Sequence, residues 1–530
     1  MNLDFFKKNN KKIFLGVAIF IFLIGVFLRT YNFRDWLYFY PDQARDVFLA
    51  EKAVNGHSGW PLLGPIAAST KFRLGPIYYY FQIISGKIFG ITPVAMAYPD
   101  LLFSILSIPL FYYFMRRYFG ANMSLALAGL YAMSFYDIRY SRFAWNSNPI
   151  PFFVILFLIS LSELLFSRSR TKWYWIAGLG ISLGVSVQLH TVLLVMLPIM
   201  VLMALAFSIK KDPKLWRKWL IVFLIASILN GGQIYSELQT GFSNTKYFFS
   251  VLNDRSPHKG SGILENVELD AICHGQAGTH FLSSLDNQDG CQSFSDFKDA
   301  GTALSLWIGM IFMFFGYVAM AYLWKEEKNE QKKIFLGLLF VFGLVNFLTL
   351  VPIISHNGQL RYLFQIIFMP FIFLGFLAMF LRRRGYAWMV AVLFVFLIAA
   401  NFSTIISEAE KYAAKDRSNA TYVVLGEIEP IGKYMAAQSA PKKKIYLAGG
   451  YKYMQNYFKP LSYVGDEIGV KFLRVSKRVP PPVGQAVFYI DQSWNGGKDK
   501  IASPVGTELR NYIVESYQGF GQVGIYKLKN

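Results

Sequence analysis

The sequence predicts a mainly α-helical protein that crosses a membrane many times and ends in a small α/β domain. Of its 530 residues, 54% are hydrophobic and only 16% are charged, whereas soluble domains carry about 25% charged residues. Apolar runs of about 20 residues, the length that crosses a bilayer, recur along the chain. Short basic runs lie beside them, so the net charge of +21 indicates membrane topology and argues against nucleic-acid binding.

The basic runs indicate the side of the membrane on which each loop lies. They occupy residues 7–12, 116–117, 168–172, 210–211, 325–333 and 382–384. Taking them as cytoplasmic predicts about eleven spanning helices, a cytoplasmic N-terminus and an extracytoplasmic C-terminus. The predicted spans lie near residues 13–29, 96–115, 121–137, 150–166, 173–189, 190–207, 218–234, 303–323, 334–351, 362–381 and 386–406.

One further apolar segment, residues 76–92, needs a separate decision. If it crossed the membrane, every later basic run would lie on the wrong side. The segment is also short and contains Gln82 and Lys87. We therefore predict a juxtamembrane helix that lies in the outer interface and is anchored there by its tyrosines.

This topology predicts two domains. Residues 1–406 form the spanning domain, with outside segments at 30–95 and 235–302. Residues 407–530 contain no spanning run. Strand-like stretches and glycine- or proline-rich turns make this tail a small extracytoplasmic α/β domain, and the strand-like stretches are residues 444–448, 486–490 and 523–528.

Both cysteines, Cys273 and Cys291, fall in the second outside segment. Disulfides persist outside the reducing cytoplasm. We therefore favour a Cys273–Cys291 disulfide, with a metal-binding pair as the alternative.

The segment directly after the first span carries the strongest chemical signal. Residues 41–46, PDQARD, begin with a helix-start signal. On a helix Asp42 and Asp46 stand one turn apart on the same face, and Arg45 lies beside them. Such a pair could act as a general base and a group that holds phosphate or metal. Spacing alone favours the simpler alternative, in which Asp42 caps the helix and Asp46 pairs with Arg45 or faces water.

Other polar residues lie at the predicted outer ends of spans, where lipid makes them costly. Arg142 and Asn146 occupy a short loop, and His190 ends the fifth span. Contacts with a sugar or phosphate are one interpretation, and a structural role is the other. Arg361 and Tyr362 begin an otherwise apolar helix, where Arg361 suits a lipid phosphate; snorkelling to the headgroups is its alternative.

The motif PDQARD at residues 41–46 resembles the first outside loop of the glycosyltransferase C superfamily. The similarity is to the protein O-mannosyltransferase-like branch, which includes the aminoarabinose transferases of lipid A. It continues through LGPIYYYF at 74–81, RRYFG at 116–120 and YSRFAWNSNP at 140–149. The resemblance implies the superfamily's helical membrane fold, with juxtamembrane helices.

The resemblance also implies a function. Asp42 would be the catalytic aspartate of an inverting transfer from a polyprenyl-phosphate-linked sugar to a lipid, glycan or protein acceptor. The resemblance also adds to the case that Arg361 holds the phosphate. From their positions we add Arg142 as a second phosphate contact and, as candidate substrate contacts, Arg45, Asp46, Asn146, His190 and Tyr362.

Gln43 departs from the pattern, because many relatives have a second acid there, and Asp100 stands where relatives often carry an arginine or a small residue. No metal ligand and no cofactor are assigned from the sequence, and a divalent metal is left open. The alternative functions are a transporter of lipid-linked sugars and a glycopolymer ligase or polymerase. The sequence predicts a plasma or inner membrane location, among membrane lipids.

Overall fold

The computed structural model describes residues 3–67, 70–253, 262–284, 291, 300–352, 360–413, 423–476, 481–492, 509 and 512–529. Most of these residues are helical. The helices are α1 Leu3–Thr30, α2 Pro41–Val54, α3 Ile77–Phe89, α4 Pro93–Met115, α5 Ala121–Ala132, α6 Phe135–Tyr140, α7 Ile150–Ser167, α8 Trp173–Leu189, α9 Thr191–Lys211, α10 Trp216–Leu229, α11 Gly231–Thr240, α12 Ser243–Asn253, α13 Ile263–Ser283, α14 Ala300–Glu326, α15 Glu330–Leu350, α16 Met369–Arg383, α17 Ala387–Ala413, α18 Leu425–Ser439 and α19 Tyr451–Glu467. The strands are β1 Lys444–Gly449, β2 Lys471–Arg474, β3 Ala486–Gln492, β4 Ile513–Phe520 and β5 Val523–Lys529.

The helices confirm a multi-pass membrane protein, although not the count of about eleven spans. Within the described ranges, 7 helices are long and apolar enough to cross a bilayer, or up to 9 if each of two bent pairs forms one span. Helices α5 and α8 are apolar but shorter. The bent pairs are α10 with α11, at 68°, and the 3₁₀ turn Leu360–Ile366 with α16, at 59°.

Helix α3 is 13 residues long, which is too short to cross a membrane of about 30 Å as a helix. Its Tyr78, Tyr79 and Ile83 are buried, whereas Ile84 and Ile88 expose apolar surface. This two-sided pattern is typical of a helix at the membrane boundary and agrees with the prediction for this segment.

A fully buried ion pair joins the first spans. Arg29 at the end of α1 pairs with Asp137 of α6. The guanidinium also donates to Ser104 Oγ at 2.8 Å and to the Ala132 carbonyl at 2.8 Å, and Tyr131 Oη donates to Asp137 at 3.1 Å. A charge at this depth needs such partners, so the pair fixes α1 against α4, α5 and α6.

The middle of the segment 235–302 is helical, whereas the sequence predicted a polar loop outside the membrane. Its residues 263–283 form the 21-residue helix α13, which packs along α14. A Cβ on Gly309 would lie 2.0 Å from the Gly275 carbonyl oxygen, so the two backbones touch, as small residues permit between membrane helices. The far end of α13 reaches the α5–α6 junction, where Ser134 Oγ donates to the Phe281 carbonyl at 3.0 Å.

The C-terminal region contains the predicted α/β fold. Its sheet has the order β2-β1-β3-β5-β4, with β2, β1 and β3 parallel and β5 antiparallel to its neighbours. The three stretches predicted as strands correspond to β1, β3 and β5. Helix α19 packs on α2, where the Tyr463 ring lies 5.5 Å from Phe39 and 5.3 Å from Phe48. The domain therefore supports the helix that carries the acidic motif.

Candidate active site

Helix α2 presents two acids in different environments. Pro41 starts the helix, and Arg45 lies between Asp42 and Asp46. Its Nη1 is 2.8 Å from Asp42 Oδ1, and its Nε is 2.8 Å from Asp46 Oδ1. The Asp42 side chain is 63% exposed and that of Asp46 only 3%. One arginine therefore links an accessible carboxylate to a buried one.

The buried Asp46 fixes the position of Arg45. Besides Arg45, the Tyr79 hydroxyl donates to its Oδ1 at 3.1 Å. Burial raises the pKa of Asp46 to about 6, and the Arg45 charge opposes that rise. At neutral pH the ionised Asp46 holds Arg45 in place. Asp46 is buried, whereas Asp42 is exposed to solvent.

Asp42 has the free proton-acceptor capacity that a general base needs. Its Oδ1 receives the Arg45 hydrogen bond, and its other oxygen has no hydrogen-bond partner among the residues that the structure describes. An exposed carboxylate with a fixed orientation and one unoccupied oxygen can accept a proton from a bound hydroxyl group.

The turn Leu360–Ile366, which we call the Arg361 turn, carries the second charged feature. The Arg361 guanidinium carbon lies 4.6 Å from the Trp145 ring centroid and 5.6 Å from that of Tyr362. Its Nε is buried and has no hydrogen-bond partner among the residues that the structure describes. No described carboxylate pairs with this arginine. A stacked guanidinium with free donors is suited to bind a phosphate.

His190 lies beside the Arg361 turn. Its ring centroid is 5.6 Å from that of Tyr362, and its Nδ1 accepts from the Val192 amide at 3.3 Å at the start of α9. Its other ring nitrogen, Nε2, is the one that can offer a hydrogen bond to a group bound at the Arg361 turn.

Consecutive tyrosines of α3 connect the two charged features. Tyr79 binds Asp46, and Tyr78 Oη donates to Asp100 Oδ2 at 3.1 Å. The other Asp100 oxygen accepts from the Trp145 amide at 3.4 Å. Asp100, noted in the sequence only as a departure, thus positions the loop whose Trp145 stacks on Arg361.

Two of the predicted substrate contacts are engaged with the backbone. Arg142 is buried, and its guanidinium donates to the Arg29 carbonyl at 3.2 Å and to the Tyr31 carbonyl at 2.6 Å. These are carbonyls at the end of α1, which need donors. Asn146 Nδ2 donates to the Leu189 carbonyl at 2.5 Å. Both residues position spans here, so Arg361 is the better placed of the two arginines for a phosphate.

The two cysteines are bonded to each other, with Cα atoms 5.1 Å apart, which lies within the usual range for disulfides. Cys273 is buried within α13 and does not lie in a polar loop.

The acids of α2 do not fit a divalent metal. Arg45 occupies the position between them that a cation would need. Among the residues described, no three His, Cys, Asp or Glu side chains gather as ligands.

Gln43 is a structural residue that sequence reasoning noted only as a departure. Its Oε1 accepts from the Tyr40 amide at 3.1 Å, and its Nε2 donates to the Ala144 carbonyl at 2.9 Å. A single amide therefore ties the start of α2 to the Trp145 loop, and it needs both a donor and an acceptor atom.

We expect Gln43→Glu to lower the free energy of unfolding by about 1–3 kcal/mol, because a carboxylate oxygen would face the Ala144 carbonyl without a hydrogen bond. Unfolding of the detergent-solubilised protein by heat or by SDS measures the change. Lys52→Gln, at an exposed position of the same helix, is the control, because it lowers the net charge of the protein by the same one unit. Equal stability of the two variants would contradict this role for Gln43.

Comparison with known proteins gives one family match. Residues 74–229 match the model of the family "Dolichyl-phosphate-mannose-protein mannosyltransferase", which is less than half of the chain. None of the curated proteins matches the sequence significantly.

Among solved structures, ArnT from Cupriavidus metallidurans bound to undecaprenyl phosphate is 12% identical, with a TM-score of 0.51 over 98% of each chain. The apo state of the same protein gives a TM-score of 0.49 at 12% identity over 98% of each chain. The oligosaccharyltransferase AglB from Archaeoglobus fulgidus gives 0.48 at 11% identity, over 91% of this chain and 69% of that one.

The similarity to ArnT extends over nearly the whole chain, so the helical region and the small C-terminal domain share one known architecture. The family match and this fold confirm the resemblance drawn from the sequence. Residues 74–229 are thus similar to the dolichyl-phosphate-mannose-protein mannosyltransferase family, and the fold of the chain is similar to that of ArnT.

Proposed function

We propose that the protein is an inverting glycosyltransferase that moves a sugar from a polyprenyl-phosphate carrier to an acceptor hydroxyl on the extracytoplasmic side of the membrane. The proposal rests on an accessible base and a free cation, which lie on two elements that hydrogen bonds of α3 and of the Trp145 loop connect. Asp42 is exposed with one unoccupied oxygen, and the Arg361 guanidinium has no anionic partner among the described residues. The solved ArnT structure that shares this fold binds undecaprenyl phosphate.

The proposed reaction is a single displacement. The acceptor oxygen forms a bond to the anomeric carbon while its proton passes to Asp42. The bond from that carbon to the phosphate oxygen breaks, and the carrier leaves as polyprenyl phosphate. Arg361 stabilises the negative charge that grows on the departing phosphate, and attack from the opposite face inverts the anomeric configuration.

Arg45 and Asp46 would orient the base. The hydrogen bond from Arg45 fixes the direction of Asp42 Oδ1. Asp46 and Tyr79 hold Arg45 from the buried side. His190 and Tyr362, next to Arg361, would supply contacts to the sugar or phosphate.

The side of the membrane follows from charge. If successive spans cross the membrane in alternate directions, the basic runs all lie on the side opposite to α2. Basic loops are typically cytoplasmic, which supports a cytoplasmic N-terminus and an extracytoplasmic α2. We place the protein in the plasma or inner membrane, with the C-terminal domain over α2 outside. The acceptor is then a lipid, glycan or protein exposed to that compartment.

Arg361 provides the test of the donor. Arg361→Gln should raise the KM for a polyprenyl-phosphate-linked sugar by about 10- to 100-fold, since a charge-assisted hydrogen bond to phosphate is lost. The measurement is sugar transfer by purified protein in liposomes, with a labelled donor and a cell-envelope fraction as acceptor. Arg361→Lys keeps the positive charge but not the planar set of donors, so its donor KM should lie between those of the wild type and Arg361→Gln.

Arg34→Gln is the matched control, because Arg34 is an exposed arginine that pairs with Glu429. It should leave the donor KM unchanged. An unchanged donor KM for Arg361→Gln would contradict the proposed phosphate contact, and movement of the carrier across the liposome without sugar transfer would favour a transporter.

A further inference from the structure

A chain of buried polar side chains leads from α13 to the Arg361 turn. His274 Nδ1 lies 3.2 Å from Asp270 Oδ1 and 2.9 Å from the Asp270 carbonyl oxygen. On its other side, His274 Nε2 lies 3.2 Å from Asn346 Nδ2 in α15. Gln365 Nε2 then donates to Asn346 Oδ1 at 2.6 Å and to the Tyr362 carbonyl at 2.6 Å. The four side chains are almost fully buried.

The Tyr362 carbonyl sets the direction of every hydrogen bond in this chain. A carbonyl only accepts, so the amide nitrogen of Gln365 must face it, and the same nitrogen donates to Asn346 Oδ1. Asn346 therefore turns its Nδ2 towards His274, whose Nε2 must accept. The proton of the neutral imidazole then lies on Nδ1, towards Asp270.

We propose that His274, Asn346 and Gln365 form a positioning relay that holds the Arg361 turn in its donor-binding orientation, with Asp270 fixing the tautomer of His274. The relay rests on the proposed function of Arg361. None of the relay hydrogen bonds given above involves Asp42, so we expect the relay to act on binding of the lipid-linked donor.

Helix α13 is a firm base for this relay. Gly275, next to His274, touches the backbone of α14, and Cys273 on the other side is bonded to Cys291. The residue that starts the relay is therefore held by contacts on both sides. The Arg361 turn is packed through Leu363 and Phe364, but it is a short 3₁₀ segment that bends by 59° into α16, and such segments have poorer internal hydrogen-bond geometry than an α-helix.

Breaking the relay leaves a donor without a partner. In His274→Leu the Asn346 Nδ2 loses its acceptor, and a buried amide responds by turning towards another one. Gln365 then loses Asn346 Oδ1 and with it the contact that orients its amide on Tyr362. Arg361, one residue before Tyr362, shifts with the turn.

The experiment is a kinetic comparison of full-length variants in liposomes, with donor and acceptor varied separately. His274→Leu should raise the KM for the polyprenyl-phosphate-linked sugar by about three- to tenfold, with kcat and the acceptor KM unchanged. His274→Gln places an acceptor oxygen near the position of Nε2 and should restore the donor KM to within about twofold of the wild type.

Two further variants keep the test decisive if His274→Leu folds poorly. Asn346→Ala breaks the relay from another helix and should raise the donor KM to a similar extent. Adding His274→Leu to Asn346→Ala should raise the donor KM little further, because Asn346→Ala already removes the contact that connects His274 to Gln365. Gln276→Leu is the matched control, since Gln276 is a buried polar residue of the same helix outside the relay.

The outcomes separate the two proposals. No turnover by the wild type with a lipid-linked donor would overturn the proposed function and the relay together. Turnover by the wild type with an unchanged donor KM in His274→Leu and Asn346→Ala would overturn the relay alone. An equal effect of Gln276→Leu, or an equal rise of the acceptor KM, would show a general packing defect and would also overturn it.

Discussion

Asp42→Asn is expected to lower kcat for sugar transfer by about 10²- to 10⁴-fold, the usual contribution of a general base. An asparagine has nearly the same volume, and its amide oxygen can still accept from Arg45. The helix and its charge network should therefore persist. Because Arg361 lies on a separate element, binding of the lipid-linked donor should be retained, and the loss should appear in turnover.

Asp35→Asn is the matched control for this change. Asp35 is an exposed aspartate between α1 and α2 that pairs with Arg34, so it shares the compartment and residue type of Asp42. The kcat of Asp35→Asn should equal that of the wild type. A well-folded Asp42→Asn protein with normal kcat would show that another group accepts the proton.

Asp137→Ala is expected to produce the largest loss of stability, about 3–5 kcal/mol in the free energy of unfolding, because the buried Arg29 charge is left without its partner. The remaining contacts of Arg29 are to Ser104 and to backbone carbonyls, which carry no full negative charge. Unfolding by SDS in mixed micelles, followed by circular dichroism, measures the change.

An exposed pair provides the comparison. Arg34 pairs with Glu429 at 2.6 Å, and the arginine is 56% exposed. Glu429→Gln should therefore cost at most about 1 kcal/mol, as surface pairs do. Equal losses for Asp137→Ala and Glu429→Gln would contradict the view that the buried pair holds α1 against its neighbours.

Much of the helical region could be predicted because lipid imposes simple rules on sequence. All but one of the predicted spans fall on a helix or a bent helix pair, since long apolar runs have few other stable conformations in a bilayer. The exception, 121–137, covers the short helix α5 and the start of α6. The short helix α3 followed from charge alternation together with its length. The strands β1, β3 and β5 were marked by their apolar residues and by the turns around them.

Helix α13 escaped prediction because its sequence is too polar to resemble a span. Asp270, His274 and Gln276 lower its hydropathy, but inside the bundle they face other polar groups or close-packed neighbours and not lipid. Its glycines pack on α14, a signal that becomes informative only when the partner helix is known.

The sequence predicted that the acids of the candidate site share one helix, but it did not predict the contacts that hold the candidate residues in place. The motif places Asp42, Arg45 and Asp46 on one helix, as local spacing requires. Spacing could not show that Arg142 binds the carbonyls at the end of α1. Contacts between residues far apart in the chain decide such roles, and a single sequence does not reveal them.

The most direct test of the central claim is a balance of products from a labelled polyprenyl-phosphate-linked sugar. Wild-type protein in liposomes with a cell-envelope acceptor should release one polyprenyl phosphate for each sugar transferred, with the anomeric configuration inverted. Asp42→Asn should bind the donor and release almost none. Transfer at the wild-type rate by Asp42→Asn, or a product that retains the donor's anomeric configuration, would contradict the account.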